Sequence, residues 1–149
     1  MQDRASRGFT LIELLIVLVV IGIVSAIVVP NLLNALDKGR QVRTVADLRI
    51  LGGNIEVYSV DHGHYPAGSD ITALNVLVPE YLDDVMDVDG WDHELIYIGV
   101  ALNYTLGSAG KDGGDSLVLL DGGGPTSNFN DDIIYSAGNF VQWPEGTQE

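Results

Sequence analysis

The chain contains no cysteine, so no disulfide can staple it, although a domain of this size folds without one and the compartment stays open. Basic residues are scarce and unevenly placed. Of the seven, six lie between Arg4 and Arg49, and Lys111 is the single one from Ile50 to the C-terminus, against 17 acidic residues there. The C-terminal two thirds is therefore strongly anionic and repels nucleic-acid phosphates. It also offers carboxylates to a hard divalent cation. Enzyme signatures are missing too. Gly110-Lys111 lacks the glycine and hydroxyl residues of a phosphate loop, since Thr105 and Asp112 stand in those places. Gly122-Gly123-Gly124-Pro125 opens no helix, and neither a Gly-x-Ser-x-Gly elbow nor a His-Glu-x-x-His pair occurs. Scattered carboxylates are not fixed as a glycosidase pair, and catalysis is not expected.

What is abundant is apolar sequence at one end. From Leu14 to Val29 the chain is unbroken apolar or small residues, preceded by Phe9-Thr10-Leu11-Ile12-Glu13. This exceeds the apolar core of an ordinary secretory signal. As a helix, residues 9–29 would measure roughly 31 Å, the thickness of a bilayer core. Arg4 and Arg7 would keep the short flank cytoplasmic.

A plain anchor leaves Glu13 unexplained. A carboxylate inside an apolar span costs up to roughly 2.5–3.5 kcal/mol at a helix centre and less near an end, so it calls for a cationic partner. Cleavage after Gly8 would create one, the new α-amine of Phe9. In a staggered bundle the amine of one copy would meet Glu13 of the next, and both charges would be neutralised only in the correct register.

The run Arg7-Gly8-Phe9-Thr10-Leu11-Ile12-Glu13-Leu14 resembles the cleavage and methylation motif of the type IV pilin superfamily. The resemblance implies cleavage between Gly8 and Phe9 by a prepilin peptidase, N-methylation of Phe9, and Glu13 as the assembly carboxylate. Pro30 matches the proline that family helices carry at this depth. Physically it removes a backbone donor and kinks or opens the helix, with a boundary at the membrane surface as the plainer alternative.

Beyond Pro30 the pattern becomes one-sided. Leu48, Leu51, Ile55 and Tyr58 repeat at intervals of three and four, the stripe of an amphipathic helix. Gly52 and Gly53 read as close-packing positions against the globular part. Gly63 is suited to end the helix near Asp61-His62-Gly63, which gives one helix from Phe9 to about Asp61. His62 and His64 could ligate a metal, but their spacing matches no strong zinc signature. The plainer reading is a helix exit into the extended segment before Pro66, which also resembles the tyrosine-proline turn of pilins and pseudopilins. Ile71, Leu74, Leu77 and Tyr81 predict a short helix ending around Pro79. After Asp83, glycine and aspartate punctuate short runs at 95–100, 104–106, 116–120, 132–136 and 140–143, expected to form an antiparallel sheet on the helix. The fold class is α+β. A leader at 1–8, a membrane and filament-core helix at 9–30, and a globular region at 31–149 that includes the amphipathic helix at about 31–61 complete the organisation.

Asp87-Val88-Asp89-Gly90-Trp91-Asp92 fails as an EF-hand, because Val85 and Ile96 fall at its two end positions. It is similar instead to the Asp-x-Trp-x-x-x-x-x-Tyr stretch of the major pseudopilins of type II secretion, with Asp89, Trp91 and Tyr97 in place. Gly90 and Asp92 depart from that family's usual residues. The segment 104–113 with Asn130-Asp131-Asp132 resembles the same family's calcium loop. That implies Asp112, Asp131 and Asp132 as side-chain ligands and Leu106 and Ser108 as carbonyl ligands of a structural calcium ion. Glycine and aspartate turns carrying no metal are the alternative, and the intervening loop 114–130 is longer than the family's.

The expectation is a structural subunit of a type II secretion pseudopilus. It would form a helical homo-oligomer with other pseudopilins and an inner-membrane assembly platform, with its C-terminal domain in the periplasm. A type IV pilus subunit and a membrane-anchored acidic binding module are the alternatives.

Overall fold

A computed structural model describes residues 8–114, 116–117 and 122–148. The chain forms two compact units, residues 1–35 and 36–149. Helix α1, Leu11–His62, runs through both, with Pro30 inside it and not at its end. Residues 1–7 of the expected leader lie outside the described residues.

Within the first unit every described side chain is exposed. Leu14, Ile16, Val20, Ile23 and Val28 each leave more than half of their surface open. A helix pairs every backbone N–H and C=O of this run within the run itself, which is what an apolar segment of bilayer length needs where no water can reach those groups. Around Pro30, which has no N–H to give, Asn31 Nδ2 donates to the Ile27 carbonyl at 3.0 Å.

The second unit has a single core. Leu48, Leu51 and Ile55 of α1 are fully buried, and their three- and four-residue spacing places them on one side of the helix. Removing each from water contributes roughly 1.5–3 kcal/mol. They pack with Ile71, Leu74 and Leu77 of a 3-10 helix, Ile71–Leu77, and with Leu95, Tyr97, Tyr104, Leu106, Ile133 and Tyr135. That second helix is shorter than the Ile71–Tyr81 segment expected. Asp70 caps its start by accepting from the Thr72 N–H, and Val78 is already extended, as a residue before proline prefers.

The sheet holds β1 Ile96–Val100, β2 Asn103–Ser108, β3 Gly124–Thr126, β4 Ile133–Ser136 and β5 Asn139–Pro144, in the order β1-β2-β4-β5-β3. All pairs are antiparallel except β3–β5. The sequence pattern missed β3, which is three residues long and holds Pro125. A proline is tolerated there because β3 is an edge. The expected run at 116–120 is not a strand at Ser116 and Leu117, and its remaining residues lie outside those described.

Gly52 and Gly53 separate. A Cβ on Gly52 would stand 2.2 Å from Tyr135 Cε1, so the helix meets the sheet there at backbone distance. Gly53 faces away from the sheet with nothing within 4 Å, which corrects the expectation that both pack inward. One residue of helix is about 100° of rotation, enough to carry the second glycine off the buried face.

Candidate functional site

At the N-terminus, Gly8, Phe9 and Thr10 precede α1 and are exposed. Thr10 donates twice to Glu13 Oε2, from its N–H at 2.8 Å and from Oγ1 at 2.9 Å, while the Glu13 N–H donates to Thr10 Oγ1 at 3.3 Å. This is a reciprocal capping box. The Thr10-x-x-Glu13 spacing is the sequence signal of such a box. Within one chain the carboxylate is thus held by its own helix start, and Thr10 occupies only one of its two oxygens. An ammonium arriving from another molecule can use the second.

The expected calcium region is built on the end of β2. Ser108 is fully buried, and its Oγ donates to Asp89 Oδ2 at 2.6 Å while accepting from the Gly110 N–H at 3.1 Å. Gly110 has φ +70°, and a Cβ there would come within 2.8 Å of the Asn130 carbonyl oxygen and 2.9 Å of that of Asp131. Only glycine allows both the backbone angle and the approach. The Lys111 N–H then donates to the Phe129 carbonyl at 2.9 Å. The turn 108–113 therefore lies directly against 129–131, as the loop fold-back reading requires. Asp112 is exposed, Asp131 is half-buried and accepts from the Asn128 N–H at 3.3 Å, and Asp132 is buried.

Among the described residues no three His, Asp or Glu side chains are grouped closely enough to form a metal cage. The oxygen-donor types match calcium, and the two backbone segments meet, but the three carboxylates are not gathered at one point. Leu106 lies on an interior strand, opposite Tyr97 of β1 and Tyr135 of β4, so its carbonyl belongs to a sheet ladder.

Asp89, Trp91 and Tyr97 knit this region to α1 and the sheet. Asp89 has no exposed surface, and its Oδ1 accepts from the N–H groups of Trp91 at 2.8 Å and His93 at 3.0 Å. Trp91 Nε1 donates to Asp37 Oδ1 at 3.1 Å, and Tyr97 OH donates to the Pro66 carbonyl at 2.7 Å. Burial pushes the Tyr97 phenol up to about 12. His93 Nδ1 lies 3.1 Å from the Gly110 carbonyl, which ties this loop to the turn.

Compared with protein families, residues 3–29 match the prokaryotic N-terminal methylation motif. Residues 31–118, more than half of the chain, match "Type II secretion system (T2SS), protein G". The chain belongs to the protein G family of type II secretion. Among curated relatives of this family, the type II secretion system core protein G of Escherichia coli K12 is 32% identical over 120 residues, covering 72% of this chain and 83% of the relative. Core protein G of Vibrio cholerae is 30% identical over 128 residues, covering 75% and 87%. That of Pseudomonas aeruginosa is 29% identical over 133 residues, covering 76% and 92%. No solved structure matches this protein G family member significantly.

Proposed function

We propose that this chain is a structural subunit, not an enzyme, of a type II secretion pseudopilus. It is made with a leader that a prepilin peptidase removes between Gly8 and Phe9, after which Phe9 is N-methylated. The observation that supports this best is the uncovered apolar surface of α1. It continues past the membrane-length run as a second stripe, Val42, Ala46, Ile50, Gly53, Val57 and Val60, at intervals of three and four on the side away from the core. A single-pass anchor needs only the first run. A helix that packs among copies of itself needs both, and Ala46 and Gly53 permit close approach. Copies held in the inner membrane, with their acidic domains in the periplasm, would stack with other pseudopilins on an assembly platform into a filament that drives export.

In this reading the Glu13 oxygen that Thr10 leaves open receives the Phe9 amine of a neighbour, which fixes the register. A calcium ion held by Asp112, Asp131 and Asp132 would order the turn that rests against 129–131.

The test is assembly of the full chain in a cell carrying the secretion machinery. Glu13→Ala should leave cleavage after Gly8 intact by mass spectrometry yet abolish filaments. Normal filaments from that variant, or an uncut wild-type chain, would reject the reading.

A further inference from the structure

At the C-terminal end of α1, four rings gather. Tyr58 and His62 stack with centres 4.0 Å apart and planes 10° from parallel, and the His64 ring lies 6.3 Å from that of His62. Tyr81 meets Tyr58 edge-on at 5.7 Å, and its hydroxyl donates to Asp61 Oδ2 at 3.0 Å. His62 Nδ1 is 3.1 Å from the Tyr58 carbonyl oxygen, and His64 Nδ1 is 3.0 Å from that of Tyr65. A carbonyl oxygen only accepts, so each Nδ1 carries the proton, and each neutral ring keeps its lone pair on Nε2. Metal-binding histidines are oriented in this way, by donating the non-ligating N–H to a carbonyl. Both side chains are exposed, and neither serves the assembly or calcium chemistry proposed above.

We propose that His62 and His64, through their Nε2 atoms, form a binding site for a borderline-soft divalent ion of the zinc type. With metal–nitrogen bonds of roughly 2.0–2.1 Å, two imidazoles on one ion hold their centres about 5–6 Å apart, so the two exposed rings, now 6.3 Å apart, need to draw together by only about 1 Å or less. The partial negative charge at the helix end and the Asp61 carboxylate beside it favour a cation there. No third histidine or carboxylate completes a cage among the described residues, so water takes the remaining positions. Nitrogen donors set this site apart from the oxygen-rich turn at 108–113, which suits calcium.

Titration calorimetry of zinc chloride into the full chain in detergent, without a histidine tag and with calcium in excess, is the experiment. One zinc ion per chain is expected. His62→Gln and His64→Gln each remove one of the two nitrogen ligands and should each weaken binding by about 10-fold or more, and His93→Gln should not. In imidazole nitrogen spectra, zinc should shift the Nε2 signals of His62 and His64. No zinc binding by the wild-type chain, wild-type affinity in both His62→Gln and His64→Gln, or loss on His93→Gln alone would overturn the site. Should His62→Gln perturb the helix end by circular dichroism, His64→Gln, which lies beyond it, carries the decision.

Discussion

Lys111 Nζ lies 2.7 Å from Asp37 Oδ2, joining residues 74 apart in the chain. Asp37 is 5% exposed, and its other oxygen accepts from Trp91 Nε1. Arg40 stands one helical turn along, 3.5 Å from the same carboxylate. The one basic residue of the acidic two thirds therefore anchors the turn at 108–113 to α1. Lys111→Met should leave that buried carboxylate short of its closest cation and destabilise the domain by about 1–3 kcal/mol. Urea denaturation of the wild type and variant measures this, and equal midpoints would mean that the pair contributes nothing.

The same carboxylate sets an acid limit. Burial pushes the Asp37 carboxyl up, but hydrogen bonds from Lys111 and Trp91 and the charges of Lys111 and Arg40 outweigh it, leaving the group below its ordinary value of 3.8. Its folded pKa is thus the lower one. The stabilisation it gives is present above the unfolded value and is lost as pH falls through the folded one. Stability should hold from neutrality and begin to decline below about pH 4, and Asp37→Asn should flatten that part of the curve. An unchanged slope in the variant would assign the acid sensitivity to other carboxylates.

The adjacent glycines give opposite expectations. Gly52→Ala places a methyl group 2.2 Å from the Tyr135 ring and should cost about 1–3 kcal/mol. Gly53→Ala meets nothing within 4 Å and should stabilise the helix by up to about 1 kcal/mol. Paired thermal melts decide, and a reversal of sign would mean that the helix sits in another rotation.

Calcium should raise the melting temperature if the turn holds it. At about 100 times its dissociation constant the gain is roughly 2.7 kcal/mol. Asp131→Ala should abolish the shift, whereas Lys111→Met should lower stability with and without calcium. A chelator that leaves the wild-type melt unmoved would remove the ion from the proposal.

Leu51→Ala, at the centre of the buried stripe, should destabilise by about 2–5 kcal/mol through lost transfer energy and the remaining cavity. Val57→Ala, on the outward side, should leave the isolated domain within about 0.5 kcal/mol of wild type while weakening assembly of the full chain. Denaturation and filament yield, measured on the same variants, separate the two surfaces of α1.

Signals confined to a few neighbouring residues were legible in the sequence. The apolar run, the Gly8–Glu13 motif, the stripe Leu48-Leu51-Ile55 and the stop at Gly63 each depend on contacts within one or two helical turns, and α1 ends at His62 as they require. Four of the five strands carried enough β-branched and aromatic residues to be seen. β3 did not, because its three residues are held by their parallel pairing with Gln142, Trp143 and Pro144 and not by any preference of their own.

The sequence by itself determined a long apolar helix at one end, an acidic domain without disulfides, and a carboxylate at the start of that helix. Tertiary structure decided which of two adjacent glycines meets the sheet, that Lys111 reaches back to Asp37, and that Gly110 brings its turn against Asn130 and Asp131. Helical periodicity and local charge are fixed by neighbours along the chain. The meeting of residues 20 to 83 positions apart is chosen only when the core packs.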